Sequence, residues 1–225
     1  MNVLDSRILG PTNCFIQKIT EPGEVVFETR KAAAGFLPLA EHMAHRVKVK
    51  DLKLSKAKMR ARGGTHHIAV HSQKGAVQIG DTPGEVELGD ALLFHNANRD
   101  GGGFAVSGRM GKQVFSSAEL RDQAVFTHAF GLPGRYEWAD ANGSGVEGVI
   151  IVENDPAEGK RGAERAIERM SEGALVHIVG DKVKPKELRI ATGQTVFFAV
   201  EDTDGITITD KTLLKKGKGK GKIAY

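Results

Sequence analysis

The stretch Leu132–Val152, LPGRYEWADANGSGVEGVIIV, decides the fold class of this chain of 225 residues. A Pro-Gly pair precedes the aromatic segment from Tyr136 to Trp138, and the β-branched segment from Val149 to Val152 ends the stretch. The residues between the two segments are rich in Asn, Gly and Ser, which are typical of turns. The pattern therefore predicts two strands joined by a loop, a β-hairpin.

This hairpin resembles the C-terminal hairpin of the cupredoxin (blue-copper) family, whose loop carries Cys, His and Met copper ligands. The spacing matches without a gap, but Asp140 stands at the Cys position, Gly143 at the His position and Val146 at the Met position. A trigonal blue-copper site needs a thiolate and two imidazoles. The resemblance therefore implies the fold of the family without its copper, and we expect no metal and no cofactor.

A second feature of the same resemblance is Gly89–Asn96, GDALLFHN, which reads as a turn followed by a core strand. In the family another His ligand follows the next turn, and the nearest equivalent here is Phe104. The resemblance spans Thr65–Glu153, about the length of one two-sheet sandwich. We therefore expect an all-β fold in which residues 65–153 form a cupredoxin-like Greek-key β-sandwich.

Residues 154–173 are predicted to form one connecting α-helix. Asp155 suits its N-cap, and Pro156 suits the first helical position. Apolar residues recur at helical spacing and predict a narrow stripe packed on the protein, at Ala163, Ala166, Ile167 and Met170.

An internal repeat follows the predicted helix. The segment 187–198, ELRIATGQTVFF, parallels 85–94, EVELGDALLF, and predicts a second, partial cupredoxin-like unit over 174–210. Half a sandwich would leave open sheet edges. We expect residues 8–52 to complete this unit, within the chain or by strand exchange with a neighbour; the alternative is that both segments are independent arms.

Positive charge is concentrated in an N-terminal arm, residues 1–64, and in a Lys/Gly-rich tail, residues 211–225. The chain has 32 Lys and Arg against 28 Asp and Glu, a net charge of +4. Blocks of like charge are typical of arms that contact an anionic surface. The predicted partner-binding residues are Arg46, Lys48, Lys50, Lys53, Lys56, Lys58, Arg60, Arg62, Lys215, Lys216, Lys218, Lys220 and Lys222.

Bulk features favour a cytoplasmic protein. Cys14 is the only cysteine, so an intrachain disulfide is excluded. The N-terminus lacks the pattern of a secretory signal, and no apolar run approaches the ~18 residues that cross a bilayer. We expect a cytoplasmic location, peripheral at most on the cytoplasmic face of a membrane.

No catalytic motif is present: the chain has no GxSxG, P-loop, dinucleotide fingerprint or HExxH. We therefore expect no enzyme, but a structural accessory subunit that docks through its arm and tail onto other protein subunits of a larger complex. The resemblance favours a membrane-associated, electron-transfer type of complex, and an anionic membrane surface is a further expected partner.

Two alternatives come from other functional classes. One is a metal-binding or redox protein with a non-standard site built from His42, His45, His66, His67 or Asp140. The other is a nucleic-acid-binding protein that contacts phosphates through the two basic segments, with the salt dependence that such contacts bring.

Overall fold

The computed structural model describes residues 3–32, 44–51, 63–73, 76–98, 102–154, 164 and 167–215. Within these residues the chain is all-β, with seventeen strands in three sheets. In chain order the strands are β1 (Asn13–Lys18), β2 (Gly23–Lys31), β3 (His45–Lys50), β4 (Thr65–Gln73), β5 (Ala76–Ile79), β6 (Glu85–Glu87), β7 (Ala91–Asn96), β8 (Phe104–Met110), β9 (Gln113–Ser116), β10 (Ala124–Ala129), β11 (Gly134–Asp140), β12 (Glu147–Glu153), β13 (Ala174–Val179), β14 (Lys182–Lys184), β15 (Glu187–Ala191), β16 (Thr195–Glu201) and β17 (Ile208–Asp210).

One long sheet runs through the whole molecule. It has eight strands in the order β14-β13-β16-β10-β1-β7-β4-β5. A five-stranded sheet, β6-β3-β2-β8-β9, and a four-stranded sheet, β15-β12-β11-β17, complete the fold. Among the named strands, the antiparallel pair β1–β10 is the one that joins the first nine strands to the last eight.

The two halves have the same plan. The order β5-β4-β7-β1 in the first half matches β14-β13-β16-β10 in the second, and β6-β3-β2-β8 matches β15-β12-β11-β17. The matching pairs also agree in direction, since β4–β7 and β13–β16 are both parallel. The repeat detected between segments 85–94 and 187–198 therefore belongs to a duplication of the whole unit, not of part of it.

This plan places the boundary between units near Leu120, which differs from the expected division at residues 65 and 153. Residues 8–52 were expected to complete the unit of 174–210, but β1–β3 do not pair with any of the strands β13–β17. Instead β1–β3 join β4–β9, and β10–β12 complete the second unit. The physical reason is connection length: β10–β12 lie next to the second unit in sequence, and short connections favour neighbours.

The core lies between the inner face of the eight-stranded sheet and the two smaller sheets. Alternation along the strands buries every second residue, as in β16, where Val196, Phe198 and Val200 are buried. Equivalent aromatic pairs occupy the two halves: the rings of Phe15 and Phe94 stack at 6.0 Å, as do those of Phe126 and Phe198. The core of each half is therefore built around an equivalent pair of strands, β1 with β7 in the first half and β10 with β16 in the second.

The predicted hairpin forms, with β11 paired antiparallel to β12. Its glycine at position 148 faces Trp138, whose ring is 1% exposed. A Cβ at this position would lie 2.8 Å from the ring atom Cζ2, closer than carbon atoms can pack. The hairpin thus depends on glycine for the close approach of its strands to the indole.

Gly148→Ala is expected to lower the free energy of unfolding by about 1–3 kcal/mol, because the buried ring must move to admit a methyl group. Urea denaturation monitored by Trp fluorescence measures this loss. Gly84→Ala is the matched control, since a Cβ there meets nothing within 4 Å. Equal stability of the two variants would contradict the close packing.

The predicted helix over 154–173 falls largely outside the described residues, but 164 and 167–171 are helical. The apolar stripe does not pack as expected, because Ile167 is 68% exposed and Met170 49% exposed. A second short helix, Lys211–Lys215, follows β17, and the Asp210 carboxylate caps it by accepting from the Thr212 N–H at 2.7 Å. No helix in the described part of the chain is long and apolar enough to span a bilayer.

Candidate functional site

The outer face of the eight-stranded sheet, opposite the core, is a regular surface that the strand register creates. Strand register aligns its side chains in two adjacent rows across six strands. One row is Leu175, Phe197, Thr127, Cys14, His95 and Ala69, and the next is His177, Ala199, Val125, Ile16, Leu93 and His67. These twelve residues are called the outer face below.

The outer face is mostly apolar, with His67, His95, His177 and Thr127 as polar members, and it carries no Lys, Arg, Asp or Glu in either row. Most of its side chains are half-buried, and Leu175 at one end is 55% exposed. Charges flank it in the next row, where Lys18 and Glu201 lie, and His177 Nε2 is 3.5 Å from a carboxylate oxygen of Glu201. An uncharged centre with a charged margin is the composition of protein–protein interfaces.

Two histidines approach each other at the β7–β4 end of the outer face. The ring centroids of His67 and His95 are 5.9 Å apart. Burial lowers the pKa of His95, and the neighbouring His67 and His71 lower it further. Cys14 lies directly across from His95, and burial raises the pKa of its thiol. The described residues nevertheless contain no group of three His, Cys, Asp or Glu arranged to hold a metal ion.

The other histidines considered for a metal site are scattered. His42 lies outside the described residues, and His45 stacks on Phe27 at 5.7 Å. His66 projects to the inner side of β4, where its Nε2 lies 2.7 Å from the Asp90 carboxylate. His66 and His67 therefore point to opposite faces of one strand.

Asp90 has a structural role in the turn before β7. Burial alone would raise the pKa of its carboxyl, but hydrogen bonds from the Glu87 and Gly64 N–H groups and from His66 reverse this, and the pKa is lowered. The carboxylate thus stays ionised and fixes the turn that the Gly-Asp motif predicted.

The positions at which the resemblance would place copper ligands hold residues with structural contacts. Asp140 is 4% exposed, and its carboxylate accepts hydrogen bonds from the backbone N–H groups of Asn142, Ser144 and Thr207 at 3.1, 3.1 and 2.7 Å. Val146 is buried beside it. Phe104 belongs to β8 in the five-stranded sheet, whereas Asp140 and Val146 belong to the β11–β12 hairpin. Asp140 therefore organises the hairpin loop.

Three of the predicted partner-binding residues lie on β3, where they alternate with the buried Val47 and Val49. Two of them are paired within the chain: Arg46 with Glu24 at 2.7 Å and Lys50 with Glu85 at 3.1 Å. Pairing reduces the positive potential of this strand. Lys48 also projects outward, and Lys215 ends the short C-terminal helix. The others lie outside the described residues: Lys53, Lys56, Lys58, Arg60, Arg62, Lys216, Lys218, Lys220 and Lys222.

A cleft of about 200 Å³ lies beside β10, on the core side of the sheet. It is called the His128 cleft and is lined by Leu4, His128, Phe130, Tyr136, Asp210 and Leu213, among others. His128 is buried, at 2% exposed, and its Nδ1 lies 2.7 Å from the Asn13 side-chain oxygen. No sequence pattern predicted the cleft, because its walls come from positions far apart in the chain.

Searches against protein-family models, curated proteins and solved structures found no match to this chain.

Proposed function

We propose that this chain is a non-catalytic structural subunit that docks onto another protein subunit through the outer face. The observation that carries the proposal is the pair of mostly apolar rows, without Lys, Arg, Asp or Glu, across six strands. In an antiparallel or mixed sheet the solvent side is usually polar, which gives a clean alternation along each strand. Here the side away from the core is also apolar at Ile16, Leu93, Val125 and Phe197.

The size of the outer face suits the centre of an interface. Its two rows cross six strands spaced ~4.8 Å apart and occupy about four residues of each strand at ~3.3 Å per residue, which covers about 400 Å². A standard protein–protein interface buries about 800 Å² on each partner, with a polar rim around its centre. A flat protein surface of matching apolar character can thus bury the whole face, and we propose such a surface as the partner.

The charge distribution favours a protein partner over an anionic surface. A lipid headgroup or a phosphate backbone is attracted by unpaired Lys and Arg. The outer face has none, and Arg46 and Lys50 on β3 are engaged by Glu24 and Glu85. The cupredoxin resemblance extends the proposal to a copper-free subunit of a membrane-associated, electron-transfer type of complex.

Site-specific photo-crosslinking in native cells tests the proposal. A photoreactive amino acid at Val125, in the middle of the outer face, is expected to cross-link a defined protein partner at fixed stoichiometry. The same amino acid at Val114 is the matched control, because Val114 is 43% exposed on β9 of a different sheet. We expect the yield from position 125 to exceed that from position 114 roughly tenfold, as contacts at an interface centre dominate binding.

A charge substitution supplies the second arm of the test. Ile16→Lys places an ammonium group in the centre of the outer face, where docking would desolvate it. We expect this variant to fold and to lose the partner during native purification. Purification of the unaltered chain as a free monomer, with equal cross-linking from both positions, would overturn the proposal.

A further inference from the structure

We propose that the His128 cleft binds a small organic ammonium ion, in which a primary amine is carried on a flat apolar body such as an aromatic ring. This inference goes beyond the proposed function and is independent of it, because the cleft lies on the opposite side of β10 from the outer face. It rests on two hydrogen-bond acceptors and on the aromatic wall beside them.

The first acceptor is Nε2 of His128. The Asn13 amide nitrogen donates to the carbonyl oxygens of Val3 and Ile8, at 3.3 and 2.8 Å, so the Asn13 side-chain oxygen must accept from His128. Nδ1 therefore carries the proton of the neutral ring, and Nε2 presents a lone pair. The described residues give Nε2 no hydrogen-bond partner, although the side chain is 98% buried and lines the cleft.

The second acceptor is the carboxylate of Asp210. One oxygen, Oδ1, accepts from the N–H of Thr212 and caps the short helix. Within the described part of the chain Oδ2 has no partner, and the residue lines the same cleft. An ammonium group has three donors and no acceptor. It can therefore donate to a carboxylate and to a neutral imidazole together.

Apart from Thr212 and the Tyr136 hydroxyl, the remaining wall of the cleft is apolar and aromatic. The rings of Phe130 and Tyr136 meet edge to face at 4.9 Å, and His128 lies edge to face with Phe130 at 4.5 Å. The Tyr136 hydroxyl is already engaged, since it donates to the Leu132 carbonyl at 2.9 Å. A volume of 200 Å³ equals the liquid volume of about six or seven waters, which admits one small ring with a short arm.

The same lining excludes other classes of ligand. An anion would face the Asp210 carboxylate with no Lys or Arg among the lining residues to attract it. A purely apolar ligand would leave the His128 and Asp210 acceptors without donors, and buried polar groups in that state are unfavourable. The chemistry of the cleft thus favours a cationic donor over an anion or a hydrocarbon.

Titration calorimetry with benzylamine on the full chain tests the inference, with benzyl alcohol as the uncharged probe of the same shape. Asp210→Asn is the informative variant, because Asn caps a helix as well as Asp does but removes the charge. We expect it to weaken benzylamine binding about 10- to 100-fold, the range for a hydrogen bond to a charged group. Asp181→Asn, in the β13–β14 turn outside the cleft, removes the same charge and is expected to leave affinity unchanged.

A second readout identifies the other acceptor. In ¹⁵N spectra of the histidine rings, benzylamine is expected to shift Nε2 of His128 and to leave Nε2 of the exposed His67 unmoved. Benzylamine binding that survives Asp210→Asn, or binding that leaves the His128 resonance unchanged, would overturn the assignment of the cleft. Absence of any benzylamine binding at millimolar concentration would overturn it as well.

Discussion

Replacing Asp5 by alanine is expected to lower the free energy of unfolding by about 3–5 kcal/mol, because it removes the carboxylate that binds the buried Arg7 guanidinium through two hydrogen bonds. Asp5 is fully buried and Arg7 is 4% exposed. The pair is bidentate, with Nε to Oδ1 at 2.8 Å and Nη2 to Oδ2 at 2.7 Å. Arg7 also donates to the Thr209 hydroxyl, which ties the N-terminal segment to β17.

Urea denaturation of the single and double variants measures this effect. The double variant Asp5→Leu, Arg7→Met removes both charges and is expected to recover most of the loss, as replacing a whole buried pair often does. Glu24→Ala is the control for an exposed pair, since Glu24 and Arg46 are each more than 40% exposed at the side chain, and should cost less than about 1 kcal/mol. Equal losses from Asp5→Ala and Glu24→Ala would contradict the structural role of the buried pair.

Acidification is expected to destabilise the fold through His128 by about 2–3 kcal/mol between pH 7.5 and pH 4.5. Burial lowers the pKa of His128 to about 4, against an ordinary value of 6.5. Between these values the unfolded chain binds a proton at this residue and the folded chain does not. Stability is therefore highest above pH 6.5 and is lost progressively as the pH falls toward 4. The lowered pKa of His95 acts in the same direction.

The free energy of unfolding of the parent chain and of His128→Gln, measured by urea denaturation across this range, isolates the contribution of His128. The variant is expected to lose less stability on acidification, because glutamine has no proton to bind. Val114→Gln, at a residue 43% exposed on β9, introduces the same amide without removing a titratable group, so it serves as the control and should follow the parent curve. Parallel curves for the parent and His128→Gln would show that the buried imidazole does not control the pH dependence.

Most of the strands could be predicted from the sequence, because the alternation of apolar and polar residues along a strand is a local property. The hairpin over Leu132–Val152 and the core strand over Gly89–Asn96 form where the residues predicted them. The segments 85–94 and 187–198 also occupy equivalent places in the two halves. Each of these features depends on a few neighbouring residues, whose turn chemistry and side-chain alternation act over short distances.

The sequence did not predict which strands belong to which unit, because the hairpin is compatible with either neighbouring half. The resemblance assigned it to the unit over 65–153, whereas pairing of β12 with β15 and of β11 with β17 places it in the second half. Likewise, the basic strand β3 reads as an unpaired positive segment until the fold brings Glu24 and Glu85 beside Arg46 and Lys50. Ion pairing across strands depends on register, which the sequence of one strand does not contain.

Strand alternation and turn residues within short segments were sufficient to predict the all-β class, the hairpin and the repeat of segment 85–94 in 187–198. The duplication of the whole unit and the character of the surfaces depend on the tertiary structure. The outer face arises because register aligns Ile16, Leu93 and Val125 from three separated strands. The His128 cleft arises because folding brings Asp210 to a histidine whose ring is held by Asn13. Both sites join residues distant in the chain, and their chemistry exists only once those residues meet.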